Sequence, residues 1–134
     1  MTRALVTGAG HRLGRAMAVY LAGRGYDIAV HYASSETKAL ETVAMVEAAG
    51  QRAVALRADL LDEAATQGLF ERAVDALGGP VTCLVNNASI FEHDTIATAT
   101  RTTWDRHMDS NLRAPFVLTQ AMAAQGLTPG RDDM

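Results

Sequence analysis

Three glycines fall within eight residues, Thr7-Gly8-Ala9-Gly10-His11-Arg12-Leu13-Gly14, directly after the apolar run Ala4-Leu5-Val6. A strand that turns into a helix here would expose the free N–H groups and partial positive charge of the helix start. Glycine lets that backbone approach an anion with no Cβ in the way. A pyrophosphate suits such a turn, and Gly14 is expected to let the helix pack closely on the sheet. Any tight strand-to-helix turn can also require glycine, so the spacing alone leaves a purely structural reading open.

More chemistry collects at the ends of the other apolar runs. After Ile28-Ala29-Val30-His31 comes Tyr32-Ala33-Ser34-Ser35, with no carboxylate before Glu36. An acidic residue at this place would accept from an adenosine ribose 2′-OH and repel a 2′-phosphate. The hydroxyls of Ser34 and Ser35, with His11 and Arg12 from the glycine turn, instead suit a 2′-phosphate, which favours NADPH over NADH. The serines equally suit the cap of a helix beginning near Thr37. In Ala58-Asp59-Leu60, Asp59 either accepts from an adenine amino group or caps a helix. Asn86-Asn87-Ala88-Ser89 places amide and small residues where open α/β sheets bind ligands, although paired asparagines also form turns. Cys83, the single cysteine, lies in an apolar run and reads as an inert buried thiol.

These residues need a scaffold, and the pattern supplies one. Apolar runs at 4–7, 28–31, 53–56 and 81–85 alternate with segments of helical period, the signature of βαβ units. The first helix is expected to present Leu13, Met17, Tyr20 and Leu21 before Gly23 and Gly25 stop it, the second Leu40, Val43, Ala44 and Glu47 before Gly50. The third carries Ala65, Leu69, Ala73 and Leu77, flanked by Phe70 and Val74, up to Gly78-Gly79-Pro80. Trp104, Met108 and Leu112 then recur at i, i+4 and i+8, and a stripe position assigns Trp104 to packing. Pro115 should kink or restart that helix, which continues through Phe116, Leu118, Ala121 and Met122. The expected architecture is α/β, the first half of a doubly wound parallel sheet over residues 1–125, with 126–134 as a loose polar tail. A fourth strand beside the first would leave an unpaired hydrophobic edge.

Composition narrows the function classes. A chain of 134 residues, 49% hydrophobic and 20% charged, suits one soluble domain. Its apolar stretches fall short of the roughly 20 residues a membrane span needs, so a cytoplasmic protein without a targeting segment is expected. A net charge of −3 with interspersed signs gives no stripe for nucleic acid. The short basic cluster His11, Arg12 and Arg15 is the exception, and no metal site is expected.

Taken together, Thr7-Gly8 to Gly14, Ala58-Asp59-Leu60, Asn86-Asn87-Ala88, and Trp104 to Asn111-Leu112 followed by Ala114-Pro115-Phe116 and Leu118-Thr119-Gln120 resemble the short-chain dehydrogenase/reductase family across essentially the whole chain. The resemblance implies the N-terminal half of a Rossmann-type sheet. It further implies that Asp59 and Leu60 flank the adenine, that Asn87 and Ala88 hold the cofactor near the ribose and nicotinamide, and that Asn111 positions a catalytic water chain. Within the family the chain most resembles pteridine reductases and bacterial dihydromonapterin reductases. Arg12-Leu13-Gly14 replaces the commoner Gly-Ile-Gly, His31-Tyr32 with Ser35 is similar to their 2′-phosphate turn, and Ser89 stands where most relatives have glycine. Phe91 matches an aromatic that stacks on the pterin; a loop aromatic buried for packing is the other reading. The implied dimer helices would include the one carrying Phe116 and Met122, so self-association is expected by analogy.

One part of the family's chemistry has no counterpart. A tyrosine acid with a lysine four residues on is required, plus an upstream serine to polarise the substrate. Here Tyr20, Tyr26 and Tyr32 are followed four places on by Arg24, Val30 and Glu36, and the only lysine is Lys38. The expectation is an NADPH-dependent reductase acting on a pterin-like or carbonyl small molecule, represented by a truncated chain that does not turn over alone. A non-catalytic dinucleotide-binding module and an inactive structural fragment are the alternatives.

Overall fold

In a computed structural model that describes residues 2–126, four parallel strands form one sheet in the order β3-β2-β1-β4. The strands are β1 (Thr2–Val6), β2 (Tyr26–Tyr32), β3 (Ala53–Arg57) and β4 (Cys83–Val85). Helices α1 (Arg12–Gly23), α2 (Glu36–Ala48) and α3 (Glu63–Leu77) link them, and α4 (Arg101–Met108), a π-helical turn (Asp109–Arg113) and α5 (Ala114–Ala124) follow β4. The half of a doubly wound sheet expected from the sequence is present. The polar tail, apart from Gly126, lies outside the described residues.

Strand alternation divides the core between two faces. Ala4, Val6, Ile28 and Val30 point to the layer of α1 and α2, while Leu5, Ala29 and Leu56 point to α3 and α5, where Leu69, Phe70, Leu77 and Leu118 complete the packing. Register places Leu5 opposite Ala29 on one side and Leu84 on the other. No described helix is long and apolar enough to cross a membrane.

Several helix faces differ from the expected ones. On α1 the buried stripe is Gly14, Ala18 and Ala22, whereas Leu13 and Tyr20 are exposed. Small residues bring that helix axis close to the sheet, and the larger apolar side chains are displaced to its flanks. On α2 the buried residues are Ala39, Thr42 and Val46, and Leu40 faces outward. Helical period was legible in both segments, but two faces satisfied it. The third helix buries Leu69, Phe70, Ala73 and Leu77 as expected. Trp104, assigned to packing, is 58% exposed, and Met108 and Leu112 are exposed with it. Pro115 is the second residue of α5, directly after the π-helical turn, and the backbone at Met108, Arg113 and Ala114 stays helical, so the helix runs through a π turn there instead of restarting.

β4 is shorter than the expected run. It pairs with β1 alone, from Ala4–Cys83 to Val6–Val85, and Val81 precedes the ladder as a fully buried core residue. Arg3 ties the start of β1 to the end of α3. Its Nε–H donates to Leu77 O at 3.0 Å and an Nη2–H to Gly78 O at 3.4 Å, on carbonyls that the helix leaves unpaired. The substitution Arg3→Met should lower stability by about 1.5–3 kcal/mol, the worth of hydrogen bonds to a charged group. Urea denaturation measures it, and an unchanged midpoint would refute the anchoring role.

Candidate dinucleotide site

The glycine turn is shaped by two left-handed residues. Gly8 has φ 63°, and Arg12, at the start of α1, has φ 52°, the only positive value of a non-glycine residue among those described. Arg12 stands where the resemblance expects glycine and keeps the conformation glycine would adopt, at a cost of roughly 1–2 kcal/mol. His11, the residue before α1, is extended and gives the helix no side-chain cap, and the first turn has no acidic residue. The opening N–H groups of α1 and its dipole are therefore left for an anion.

Three strand ends are tied together at this turn. The Thr7 hydroxyl, buried, accepts from the N–H groups of Asn87 at 3.0 Å and Ala88 at 2.9 Å, and itself donates to Val85 O. The Asn87 Nδ2 donates to Thr7 O at 3.1 Å and Gly8 O at 3.2 Å. Gly14 admits this geometry. A Cβ there would collide with Gly8 O and lie 2.6 Å from Asn87 Nδ2, so the close approach is to the turn and to Asn87 rather than to the sheet.

His31 closes the other side. Its Nδ1 accepts from Gly8 N–H at 3.0 Å and its Nε2 donates to Ala58 O at 2.9 Å, which defines the neutral Nε2–H tautomer. Burial holds its pKa below the ordinary histidine value; the Ala58 bond opposes that shift and the positive charge of Arg72 adds to it. The sequence placed Thr7 in the glycine turn and His31 in the 2′-phosphate turn but gave neither side chain a role of its own. Both end strands in apolar surroundings, and the only signal was a polar side chain where the strand meets its turn.

A cavity of about 430 Å³ opens at the C-terminal ends of β1, β2 and β4, the crevice where strand order reverses. Gly8, His11, Arg12, Leu13 and Gly14 form one wall, Tyr32, Ser34 and Ser35 a second, and Asn87, Ala88 and Ser89 a third. None of the described lining residues carries a carboxylate. Ser35 also caps α2, accepting from Lys38 N–H at 3.4 Å. Arg15, counted with the basic cluster, is committed elsewhere: its guanidinium bonds Gly10 O, Lys38 O, Thr42 and Glu41. Among the described lining residues, Arg12 is the cation left at the cavity, beside the imidazole of His11.

Four expected site residues lie outside that lining. The Asp59 carboxylate accepts from Leu61 N–H at 2.9 Å, and the cap of α3 is Asp62. Leu60 is buried in the core beneath. Asn111, in the π-helical turn, pairs its side-chain amide with Ile90, accepting from its N–H and donating to its carbonyl, each at 3.0 Å. That pairing anchors the loop after β4. Phe91 is 84% exposed, its ring centroid 6.5 Å from that of His107 in an edge-to-face arrangement, so the reading of an aromatic buried for packing does not hold. Neighbouring Glu92 is held by His107 Nε2 through its N–H and by Arg106 through its carboxylate. Cys83 is half-buried, and burial pushes its thiol up, away from reactivity.

Comparison with known proteins agrees with this geometry. Residues 2–131 match the family described as short chain dehydrogenase. The 3-oxoacyl-acyl-carrier-protein reductase FabG of Staphylococcus aureus is 35% identical over 124 residues, 92% of this chain and 50% of that protein. A short chain dehydrogenase from Burkholderia cenocepacia in complex with NADP superposes with TM-score 0.88 at 39% identity, covering 92% of this chain and 50% of the other. A blue fluorescent protein from a metagenomic library, in complex with NADPH, gives 0.87 at 41%, with the same coverage. This chain thus spans about half the length of the relatives it matches.

The His31 geometry sets a pH dependence. Protonating Nδ1 would oppose one N–H to another at Gly8. With the folded pKa depressed, the stabilisation is complete above the unfolded value of about 6.5 and is lost as pH falls through the folded value. Urea midpoints should therefore drop more steeply between pH 7.5 and 5.5 for the native chain than for His31→Asn; parallel slopes would contradict this.

Proposed function

The chain belongs to the short-chain dehydrogenase family, and from that premise we propose that its residues form the NADPH-binding half of a reductase of a pterin-like or carbonyl small molecule. The observation that carries the cofactor reading is an uncapped α1 N-terminus in a cavity whose described lining carries no carboxylate, flanked by His11 and Arg12. The residues fit the dinucleotide: the first N–H groups of α1 are uncapped, and Gly8 and Gly14, whose missing Cβ atoms let the turn pack against Asn87 and Ala88, line the cavity beside them.

In this reading the α1 amides and Gly14 receive the diphosphate, and His11, Arg12, Tyr32, Ser34 and Ser35 surround the 2′-phosphate. Asn87, Ala88 and Ser89 face the ribose and nicotinamide, while Asp59 and Leu60 serve the adenine. Once bound, the reduced nicotinamide supplies a hydride. Asn111 holds the Ile90 peptide and thereby the loop that presents Phe91 outward, a position suited to stacking on a planar substrate ring.

The proton donor is not among these residues, because the 134 residues contain no Tyr-x-x-x-Lys. Alone they should bind cofactor without turnover, and a cytoplasmic location accords with that role. Trp104, Leu112 and Phe116 are exposed on α4, the π turn and α5, and we place a second copy of the chain on the helix that carries Phe116 and Met122.

Fluorescence titration of the purified chain should show saturable binding of NADPH in preference to NADH. Arg12→Gly should weaken NADPH about tenfold and leave NADH nearly unchanged, since one charge-assisted contact is lost. Tighter binding of NADH, or no binding by a folded chain, overturns the reading. NADPH oxidation with pterin or carbonyl substrates should not exceed the protein-free rate.

A further inference from the structure

The two phosphate-facing walls of the cavity are joined from behind by one polar staple, the partly buried Arg15 and the buried Thr42. Arg15, on α1, donates from Nη2 to Gly10 O at 2.7 Å in the glycine turn and to Lys38 O at 2.9 Å in the first turn of α2, just past Ser35. Its Nε–H donates to Thr42 Oγ1 at 3.0 Å. Thr42, fully buried on α2, donates in turn to Ala9 O at 2.9 Å. Glu41 balances the guanidinium charge at 3.0 Å. The staple therefore touches the turn that faces the diphosphate and the turn that faces the 2′-phosphate, and both ends of it are backbone carbonyls.

We infer that Arg15 and Thr42 are positioning residues that set the spacing between these walls and so determine the preference for a 2′-phosphorylated dinucleotide. Neither lines the cavity. The inference rests on the NADPH reading above and adds a mechanism of selection to it. A ligand that touches one wall is indifferent to their separation; a ligand that touches both is not. NADH lacks the phosphate that reaches Ser34 and Ser35, so loosening the staple costs NADPH more than NADH. The forked guanidinium serves here because one planar group must satisfy acceptors from α2 and from the glycine turn, which an ammonium cannot do in one geometry.

The decisive variant is Thr42→Val, which keeps side-chain volume and charge while removing the hydroxyl. By NADPH and NADH titration of the full chain its NADPH dissociation constant should rise about five- to tenfold, the scale of one lost hydrogen bond, and its NADH constant less than about twofold. Thr42→Ser, which retains the hydroxyl, should restore the native ratio. Arg15→Ala should lose the preference further, and if it fails to fold the valine and serine variants still decide. Equal weakening of both cofactors in Thr42→Val, or an unchanged ratio, overturns the positioning role. Native protein without NADPH preference would instead defeat the cofactor reading on which it rests.

Discussion

The peptide of Gly8 is tied on both sides. Its N–H ends on the buried ring of His31, and its carbonyl lies against Gly14 and accepts from the Asn87 amide. Through these contacts the ends of β1, β2 and β4 are held as one unit, with Ala58 joined through the far side of the His31 ring. A buried peptide left without such partners would cost on the order of 1–3 kcal/mol per group, so the arrangement is enforced by hydrogen-bond accounting as much as by packing. The left-handed conformations of Gly8 and Arg12 follow from it, because the chain must leave the strand and enter α1 within a few residues.

That constraint shapes both the core and the site. With the turn held tightly, α1 must lie close to the sheet, which its stripe of Gly14, Ala18 and Ala22 permits. The helix start then opens on the crevice beside β4 with its N–H groups uncapped, while Arg15 and Thr42 knit the back of the turn to α2. Local positive potential arises from backbone dipoles and the Arg12 guanidinium in a chain of net charge −3.

The second half of the chain is organised around the loop after β4. Asn111 grips the Ile90 peptide from the π-helical turn, and His107 and Arg106 hold Glu92 from α4, so the crevice edge is rigidly coupled to this helix. The π turn itself is joined to the loop after β3, where Arg113 donates to Leu61 O at 2.7 Å. The same helices leave Trp104, Leu112 and Phe116 exposed, and β4 has a neighbour on one side only among the described residues. Exposed apolar side chains and unpaired edges of this kind are surfaces on which more protein packs.

Element order and strand positions were legible in the sequence because alternating apolar runs and helical periods with glycine stops are local signals. The grouping of the Gly8, Tyr32 and Asn87 segments followed from them, since parallel βαβ connections bring every strand's C-terminal end to one edge. Which face of α1 and α2 is buried was not legible: two helical stripes existed, and only contact with the sheet chose the small-residue one. Nor could composition assign Arg15 to the carbonyls of Gly10 and Lys38 rather than to a ligand, or Asn111 to the Ile90 peptide. A polar side chain's partner depends on which backbone groups tertiary packing leaves unsatisfied beside it, and those groups belong to other elements, as with Lys38 for Arg15 and Ile90 for Asn111.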